Sequence, residues 1–262
     1  MNDILSHFAP ITLEEMNDVR LLNRTDTKFV TTVPVLRRLL TIAQDDYYAQ
    51  VIDGECIAPY YTVYFDTDDC AMYQKHESGH TNRQKLRIRS YVNSGLNFLE
   101  VKTKNNRGRT KKKRVSIDSF DPLHPQHDIR FRRQSEEFIT YDDFLRSCLH
   151  YDPTTLSEQL ENRFDRITLV NKGKTERLTI DLNLRFHNIV TDEVRSMDNV
   201  VIIELKRDGR VASPILRLLR ELRIKPHGFS KYCIGSAFTN TDLRRNRIKP
   251  RLHDIEKIIN NK

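Results

Sequence analysis

Apolar and polar residues alternate along many short stretches of this chain, a period typical of β-strands with one apolar and one polar face. In residues 85–92, for example, Leu86 and Ile88 alternate with Lys85, Arg87 and Arg89. Residues 177–186 and 200–206 follow the same rule. We predict strands over residues 24–30, 60–66, 72–75, 85–92, 98–104, 111–118, 164–170, 177–186 and 200–206.

Other stretches have the apolar spacing and start signals of helices. Residues 12–15 can form a capping box, so a helix is expected over about 11–22. Pro34 suits the first turn of a helix. The apolar stripe of that helix, which is expected to be buried, consists of Leu36, Leu39, Leu40 and Ala43. Further helices are expected at about 140–149, from 213, after 229 and at 254–259. With no linker or repeat visible, we predict one α+β domain over residues 1–262, ending in a basic tail at about 240–262.

Residues 85–114 concentrate positive charge: eleven are Lys or Arg, and only Glu100 is acidic. On paired strands such cations lie about 5 Å apart. At an effective dielectric constant near 20, each like-charge pair then costs about 3 kcal/mol. Either water screens these rows on a solvated face, or a polyanion lies between them.

The remaining strands favour the second alternative, because their polar faces also carry Lys and Arg with single carboxylates among them. A closed antiparallel barrel of about eight strands would place the charged faces in a lumen and the apolar faces outward, under helices. Such a lumen has room for one slender ligand. A phosphate chain is slender and polyanionic.

The chain totals are compatible with this but do not select a ligand. The net charge of +8 and pI of about 9.3 favour nucleotides, nucleic acid, polyphosphate or an anionic membrane surface. The four cysteines lack zinc-site spacing, so reduced thiols in a cytoplasmic protein are expected. No apolar run approaches the roughly 18 residues of a spanning helix, which leaves peripheral association at the inner face of a membrane as the alternative location.

Five motifs in order resemble the VTC domain of the triphosphate tunnel (CYTH-like) superfamily. They are Arg24-Thr-Asp-Thr-Lys28-Phe, Lys85-Leu-Arg-Ile-Arg89, Phe98-Leu-Glu-Val-Lys102, Ile203-Glu-Leu-Lys206 and Phe229-Ser-Lys-Tyr232. The resemblance implies an antiparallel tunnel barrel that binds a nucleoside triphosphate with Mn²⁺ or Mg²⁺ and synthesises polyphosphate from ATP. ATP and polyphosphate are therefore the expected partners, and nucleic acid is not expected.

The resemblance also assigns roles to residues. The expected catalytic, phosphate-binding groups are Lys28, Arg87, Arg89, Lys102 and Lys112. Further phosphate contacts are expected from Arg24, Arg114, Arg166, Arg177, Lys206 and Lys231. Glu204 matches the metal-binding carboxylate, and the weaker metal candidates are Asp26, Glu100, Asp66 and Asp181. Gly228 stands where the family motif can carry a lysine, so that contact is lost or moved to Lys225 or His227, and the register around 111–114 stays open by one residue.

Three activities fit this pattern. Hydrolytic tunnel relatives tend to carry paired glutamates, as Glu-x-Glu-x-Lys on the first strand and another pair later, whereas this chain has Arg24-x-Asp26-x-Lys28 and Glu204-x-Lys206. The cations Arg24 and Lys206 in place of glutamates favour a polymerase that extends polyphosphate with the γ-phosphate of ATP. A triphosphate hydrolase and a non-catalytic polyphosphate- or nucleotide-binding module are the alternatives. If the product crosses a membrane, a partner protein must supply the pore.

Overall fold

The computed structural model describes residues 1–19, 24–117, 136–209 and 211–260. The helices are α1 (Asn2–Leu5), α2 (Val33–Ala43), α3 (Ala71–Glu77), α4 (Glu136–Arg146), α5 (Pro214–Glu221), α6 (Lys231–Thr239) and α7 (Lys249–Asn260). The strands are β1 (Ala9–Ile11), β2 (Arg24–Thr32), β3 (Tyr47–Gln50), β4 (Ile57–Thr67), β5 (Arg83–Tyr91), β6 (Leu96–Lys104), β7 (Thr110–Ser116), β8 (Leu156–Asn171), β9 (Glu176–Asn188), β10 (Val194–Met197) and β11 (Val200–Asp208).

Eight strands form one antiparallel path in the order β2-β11-β9-β8-β4-β5-β6-β7, and the path curls into a half-barrel. The α+β class and the strand number are as predicted. The predicted closure differs, because no ladder joins β2 to β7 among the described strands. Both edges carry cations, Lys28 on β2 and Lys112 on β7, and like charges oppose direct pairing.

The convex side of the half-barrel is apolar and lies under helices. α2 and α5 pack on β2, β11, β9 and β8 through a core that includes Leu36, Leu40 and Ile203. α4 packs on β4, β5 and β6, where Ile88 and Leu99 are fully buried. Since apolar residues of each strand face outward, the alternating charged residues must face the concave side.

Helix α6 packs on the concave side, against β8, β9 and β10. Its apolar residues join a core with Leu160 and Phe186. Gly235 is needed for this close approach, because a Cβ there would lie 2.8 Å from Leu160 Cδ2 and would also clash with Phe186. One part of the concave side is therefore apolar and filled, and the other part is left to the charged residues.

Two predicted elements differ from the structure. The N-terminal helix expected over 11–22 is instead strand β1 followed by a single 3-10 turn at Glu15–Asp18, with residues 20–23 outside the described part. The capping box is present, because Thr12 N donates to Glu15 Oε2 at 2.8 Å and Glu15 N donates to Thr12 Oγ1 at 3.2 Å.

The strand expected over 72–75 is part of helix α3. The backbone N–H groups of Met72 and Tyr73 donate to the buried Asp66 carboxylate, each at 2.8 Å, and so the first turn of the helix is satisfied from the end of β4. The basic tail predicted from about 240 contains α7, which begins earlier than expected. The four cysteines are free, and no described helix has the length and apolar character needed to cross a membrane.

Candidate functional site

Strands β5, β6 and β7 place a network of cations around one carboxylate. Glu100 is 1% exposed and accepts from Arg87 Nε at 2.8 Å and Arg87 Nη2 at 2.6 Å. Its other oxygen accepts from Lys112 Nζ at 2.9 Å. Burial opposes ionisation of Glu100, but the charges of Arg87, Arg89 and Lys112 outweigh it and hold its pKa at about 2. The carboxylate is therefore ionised at neutral pH, and two of these three cations are oriented by direct contact with it.

Strands β2 and β11 provide a second group on the facing part of the half-barrel. Their pairing sets Glu204 beside Lys28 and sets Lys206 beside Asp26. Lys206 Nζ lies 3.8 Å from Glu204 Oε2, and Lys28 Nζ donates to the backbone oxygen of Phe229 at 2.8 Å. Desolvation is again outweighed by cations, Lys28 first, so the pKa of Glu204 falls to about 2.

A third group lies on β8, β9 and α6. Arg166 makes a two-pronged contact with Asp181, Nε to Oδ1 at 2.6 Å and Nη2 to Oδ2 at 2.9 Å. Lys231, the first residue of α6, contacts the same Asp181 carboxylate. Arg166 also stacks over Tyr60, 4.8 Å from the ring centroid, and Lys231 lies 4.1 Å from the centroid of Phe164. Although Asp181 is buried, these two cations hold its pKa well below the ordinary range.

Several cations on the concave side have no carboxylate contact among the described residues. Neighbouring protein atoms partly desolvate Lys102, although its side chain is exposed at the surface. This desolvation and the positive charge of Lys28 lower its pKa to about 8. Burial likewise lowers the pKa of Arg89, and the neighbouring charges of Arg87 and Arg166 lower it further. For Lys102, desolvation and the charge of Lys28 therefore outweigh the opposing negative charges of Glu204 and Asp26.

The other predicted site residues lie on the same surface with different degrees of exposure. Arg114 stacks on Phe98 at 4.2 Å from the ring centroid. Arg24 is exposed at the start of β2 and pairs with Asp26 at 2.7 Å. Arg177 is half-buried at the edge opposite Lys206, and burial lowers its pKa.

Lys85 is a concave residue that the site prediction omitted. Its Nζ donates to Ser230 Oγ at 2.7 Å, directly before α6, and burial lowers its pKa to about 7. The available signal was its parity with Arg87 and Arg89 on the same strand. The register left open at residues 111–114 is now defined, because Lys112 is paired with Lys102 and contacts Glu100 from the concave side.

The carboxylates differ in their capacity to hold a divalent cation. Asp66 is fully buried and accepts from Met72, Tyr73 and Tyr232, so it stabilises the fold. Glu100 and Asp181 are occupied by close Arg and Lys contacts, whereas the nearest described cation to Glu204 stands 3.8 Å away.

The described residues contain no group of three or more His, Cys, Asp and Glu suited to a metal ion. One ionised carboxylate still fits Mg²⁺ or Mn²⁺ where substrate phosphates and water complete the coordination. Glu204 is the residue that would hold it.

Comparisons with curated proteins and with solved structures gave the following results. No curated protein matches the sequence. A Bacillus halodurans protein described as a candidate adenylate cyclase aligns at a TM-score of 0.48 and 12% identity, over 80% of this chain and 96% of its own. The PH1819 protein of Pyrococcus horikoshii aligns at 0.44 and 14%, over 84% and 99%. A candidate adenylyl cyclase from Hippeastrum with a dominant triphosphatase activity aligns at 0.47 and 15%, over 82% and 95%.

The sequence itself matches a family over most of its length. Residues 23–240 match the VTC domain, a span that begins at the start of β2 and ends directly after α6. It includes every strand that supplies a cation to the concave surface. The chain therefore belongs to the VTC domain family.

Proposed function

We propose that this protein is a polyphosphate-polymerase-type phosphotransferase, which moves the γ-phosphoryl group of ATP onto a growing polyphosphate chain inside the half-barrel. The observation that carries the proposal is the charge of the concave surface. Lys and Arg side chains from β2, β5, β6, β7, β8, β9, β11 and α6 converge there and outnumber the carboxylates Asp26, Glu100, Asp181 and Glu204. A polyphosphate chain would supply the missing negative charge along its whole length.

The cations differ in the contacts they can make. Arg87 and Arg166 are oriented by two-pronged carboxylate contacts and keep other N–H groups for phosphate oxygens. Lys28 and Lys102 act as point charges from opposite sides of the half-barrel. Together these groups would hold a triphosphate in line with the end of a second phosphate chain.

Phosphoryl transfer depends on positioning and charge stabilisation more than on covalent help from the protein. A terminal oxygen of polyphosphate attacks the γ-phosphorus of ATP, the bond from that phosphorus to the β,γ-bridging oxygen breaks, and ADP leaves. The chain grows by one phosphate. A divalent ion bound at Glu204 would neutralise phosphate charge, while Lys28, Arg87, Arg89, Lys102 and Lys112 stabilise the charge that the equatorial oxygens carry.

The same surface disfavours hydrolysis. A hydrolase needs groups that hold metal and activate water, and β2 supplies Arg24, Asp26 and Lys28, of which Asp26 is paired with Arg24. Glu204 is followed on its own face by Lys206. A triphosphate hydrolase of the same fold, and a module that binds polyphosphate or a nucleotide without turnover, remain the alternative functions that the assay must separate.

The test is a gel assay for polyphosphate after incubation of the protein with ATP and either Mn²⁺ or Mg²⁺. We expect long polyphosphate from the wild type and its loss in Lys28→Ala, Arg87→Ala and Glu204→Gln. Lys113→Ala is the matched control, because Lys113 lies beside Lys112 on β7 but faces the opposite side. Orthophosphate as the only product would support the hydrolase, and tight binding without any product would support the binding module.

A membrane partner is a separate proposal. If the product is translocated, another chain supplies the pore, and a protein that co-purifies with the chain from membranes would identify it.

A further inference from the structure

Gly228 lies directly against a cation from the C-terminal helix. A Cβ built at Gly228 would be 3.3 Å from Arg251 Cζ, 3.4 Å from Nη2 and 3.5 Å from Nε, so the guanidinium covers this backbone position. Arg251 is an exposed residue of α7 with no ion pair or hydrogen bond to the described residues. The position next to Gly228 is therefore occupied by a free positive charge that comes from outside residues 23–240.

The segment that contains Gly228 borders the phosphate-binding surface. Pro226 forms a β-bridge with Phe29 on the free edge of β2, and His227 N donates to Lys28 O at 2.8 Å. Two residues after Gly228, Ser230 accepts from Lys85 Nζ. Residues 226–230 thus connect the edge of β2 to β5, at the end of the half-barrel where α6 begins.

Four cations converge at this end. The charges of Lys85, Arg83, Lys28 and Arg251 all act on His76, and after burial they are the strongest influences that keep the pKa of this histidine far below its usual range. Arg83 and Lys85 lie two positions apart on β5, on the parity that faces the concave side. His76 Nδ1 is buried and has no hydrogen-bond partner in the described part of the chain. The carboxylate of Asp254 lies 3.7 Å from His227 Nε2 at this end, and the four cations outnumber it.

We propose that Arg251, with Arg83 and Lys85, forms a second phosphate-binding site at this end of the half-barrel, which holds the polyphosphate chain several phosphates away from the reacting end. The proposal rests on the proposed function and extends it, because it assigns the direction of the chain and a role to α7. Lys28 is close enough to influence both sites, because its charge shifts the pKa of Lys85 and also the pKa values of Lys102 and Glu204 at the centre. The ligand class is linear polyphosphate longer than a triphosphate.

Chain length gives the proposal its distinctive readout. Tripolyphosphate can fill the central site alone, whereas a long chain can reach both sites. An accessible charge-assisted contact is worth about a three- to tenfold change in affinity. Arg251→Ala should therefore weaken long-chain polyphosphate by about that factor relative to tripolyphosphate, and should also lower the salt dependence of long-chain binding by about one counterion.

The experiment measures the dissociation constants of tripolyphosphate and long-chain polyphosphate by calorimetry, for the wild type, Arg251→Ala and Lys257→Ala. Lys257 is the matched control, because it is an exposed cation on the same helix. A thermal unfolding curve confirms that each variant is folded, and Arg251→Gln, which keeps more of the side chain, serves if the alanine variant is not. Gly228→Lys in the Arg251→Ala background should restore long-chain affinity, because a lysine there projects into the space that the guanidinium leaves.

The outcomes separate this proposal from the proposed function. Arg251→Ala that lowers the ratio of long-chain to tripolyphosphate affinity, with Lys257→Ala at the wild-type ratio, supports the second site. Equal ratios in the two variants, while the wild type still binds tripolyphosphate, overturn the second site only. Failure of the wild type to bind tripolyphosphate at all would instead refute the proposed function.

Discussion

Replacing Glu100 by Gln should destabilise the free protein and make it more responsive to phosphate ligands. Glu100 is 1% exposed and is the shared partner of Arg87 and Lys112. Gln keeps the size of the side chain but removes the charge. The two cations are then left in a half-barrel that already contains an excess of positive charge, and a bound phosphate chain can replace the lost anion.

The magnitude follows from the pKa of Glu100, which falls from 4.5 to about 2 on folding. At 1.36 kcal/mol per pKa unit, this shift corresponds to about 3 kcal/mol of folding free energy at neutral pH. The value agrees with the loss of about 3–5 kcal/mol expected when one partner of a buried ion pair is removed. Because the pKa is lowered in the folded state, this contribution exists above about pH 4.5 and disappears as the pH falls towards about 2.

The assay is chemical unfolding with and without saturating tripolyphosphate, which adds stability by mass action to any state that binds it. We expect Glu100→Gln to lose about 3 kcal/mol without ligand and a clearly smaller amount with it. Glu221→Gln is the control, since its i,i+4 ion pair with Arg217 on α5 is exposed, where about 0.5 kcal/mol is usual. An equal loss for Glu100→Gln with and without ligand would refute the idea that Arg87 and Lys112 face the phosphate chain.

Three further predictions address the same surface and its support. Gly235→Ala should lower stability by about 2 kcal/mol in thermal unfolding, because the added methyl overpacks the core around α6; unchanged stability would contradict that packing. Lys112→Ala should weaken tripolyphosphate binding about fivefold, while Lys113→Ala on the opposite face should change it little; equal effects would show that the strand register does not select ligand contacts. Ligand binding near pH 9 should take up protons, because Lys102 and Lys206 have pKa values of about 8 in the free protein and bound phosphate raises those pKa values. Calorimetry in buffers of different ionisation enthalpy would detect the proton uptake. The affinity for phosphate should also fall as the pH rises from about 8. In the free protein, by contrast, the free energy of unfolding should increase as the pH rises from about 8 towards 10.5. The reason is that the two lysines, with an ordinary pKa of 10.5 in the unfolded state, bind more protons there than in the folded state.

The charged surface was predictable from sequence because it depends on strand parity. Alternation alone put Arg87, Arg89 and Lys102 on the polar faces of neighbouring strands, and the structure places them on the concave side. The pleat of a strand fixes these directions locally, so no knowledge of the whole fold is needed. The α+β class and the outward apolar faces under helices follow from the same pattern and are confirmed.

The parts that sequence reasoning missed depend on contacts between distant segments. Residues 72–75 have a strand-like composition, but the carboxylate of Asp66 satisfies the N–H groups of Met72 and Tyr73 and starts a helix. The contact of Lys85 with Ser230 and that of Arg251 with Gly228 join parts of the chain that the sequence does not place together. The open half-barrel is of the same kind, because among the described residues Pro226, and not strand β7, bridges the outer edge of β2.

The central claim is that the cationic concave surface transfers the γ-phosphoryl group of ATP to polyphosphate. Its most direct test is phosphorus NMR of ATP incubated with the protein and Mn²⁺ or Mg²⁺, with the metal chelated before the spectrum is recorded. The account predicts that resonances of interior phosphoryl groups of a chain grow as ATP is converted to ADP, and that Arg87→Ala abolishes them. ADP with orthophosphate alone, and no interior phosphoryl signal, would contradict it.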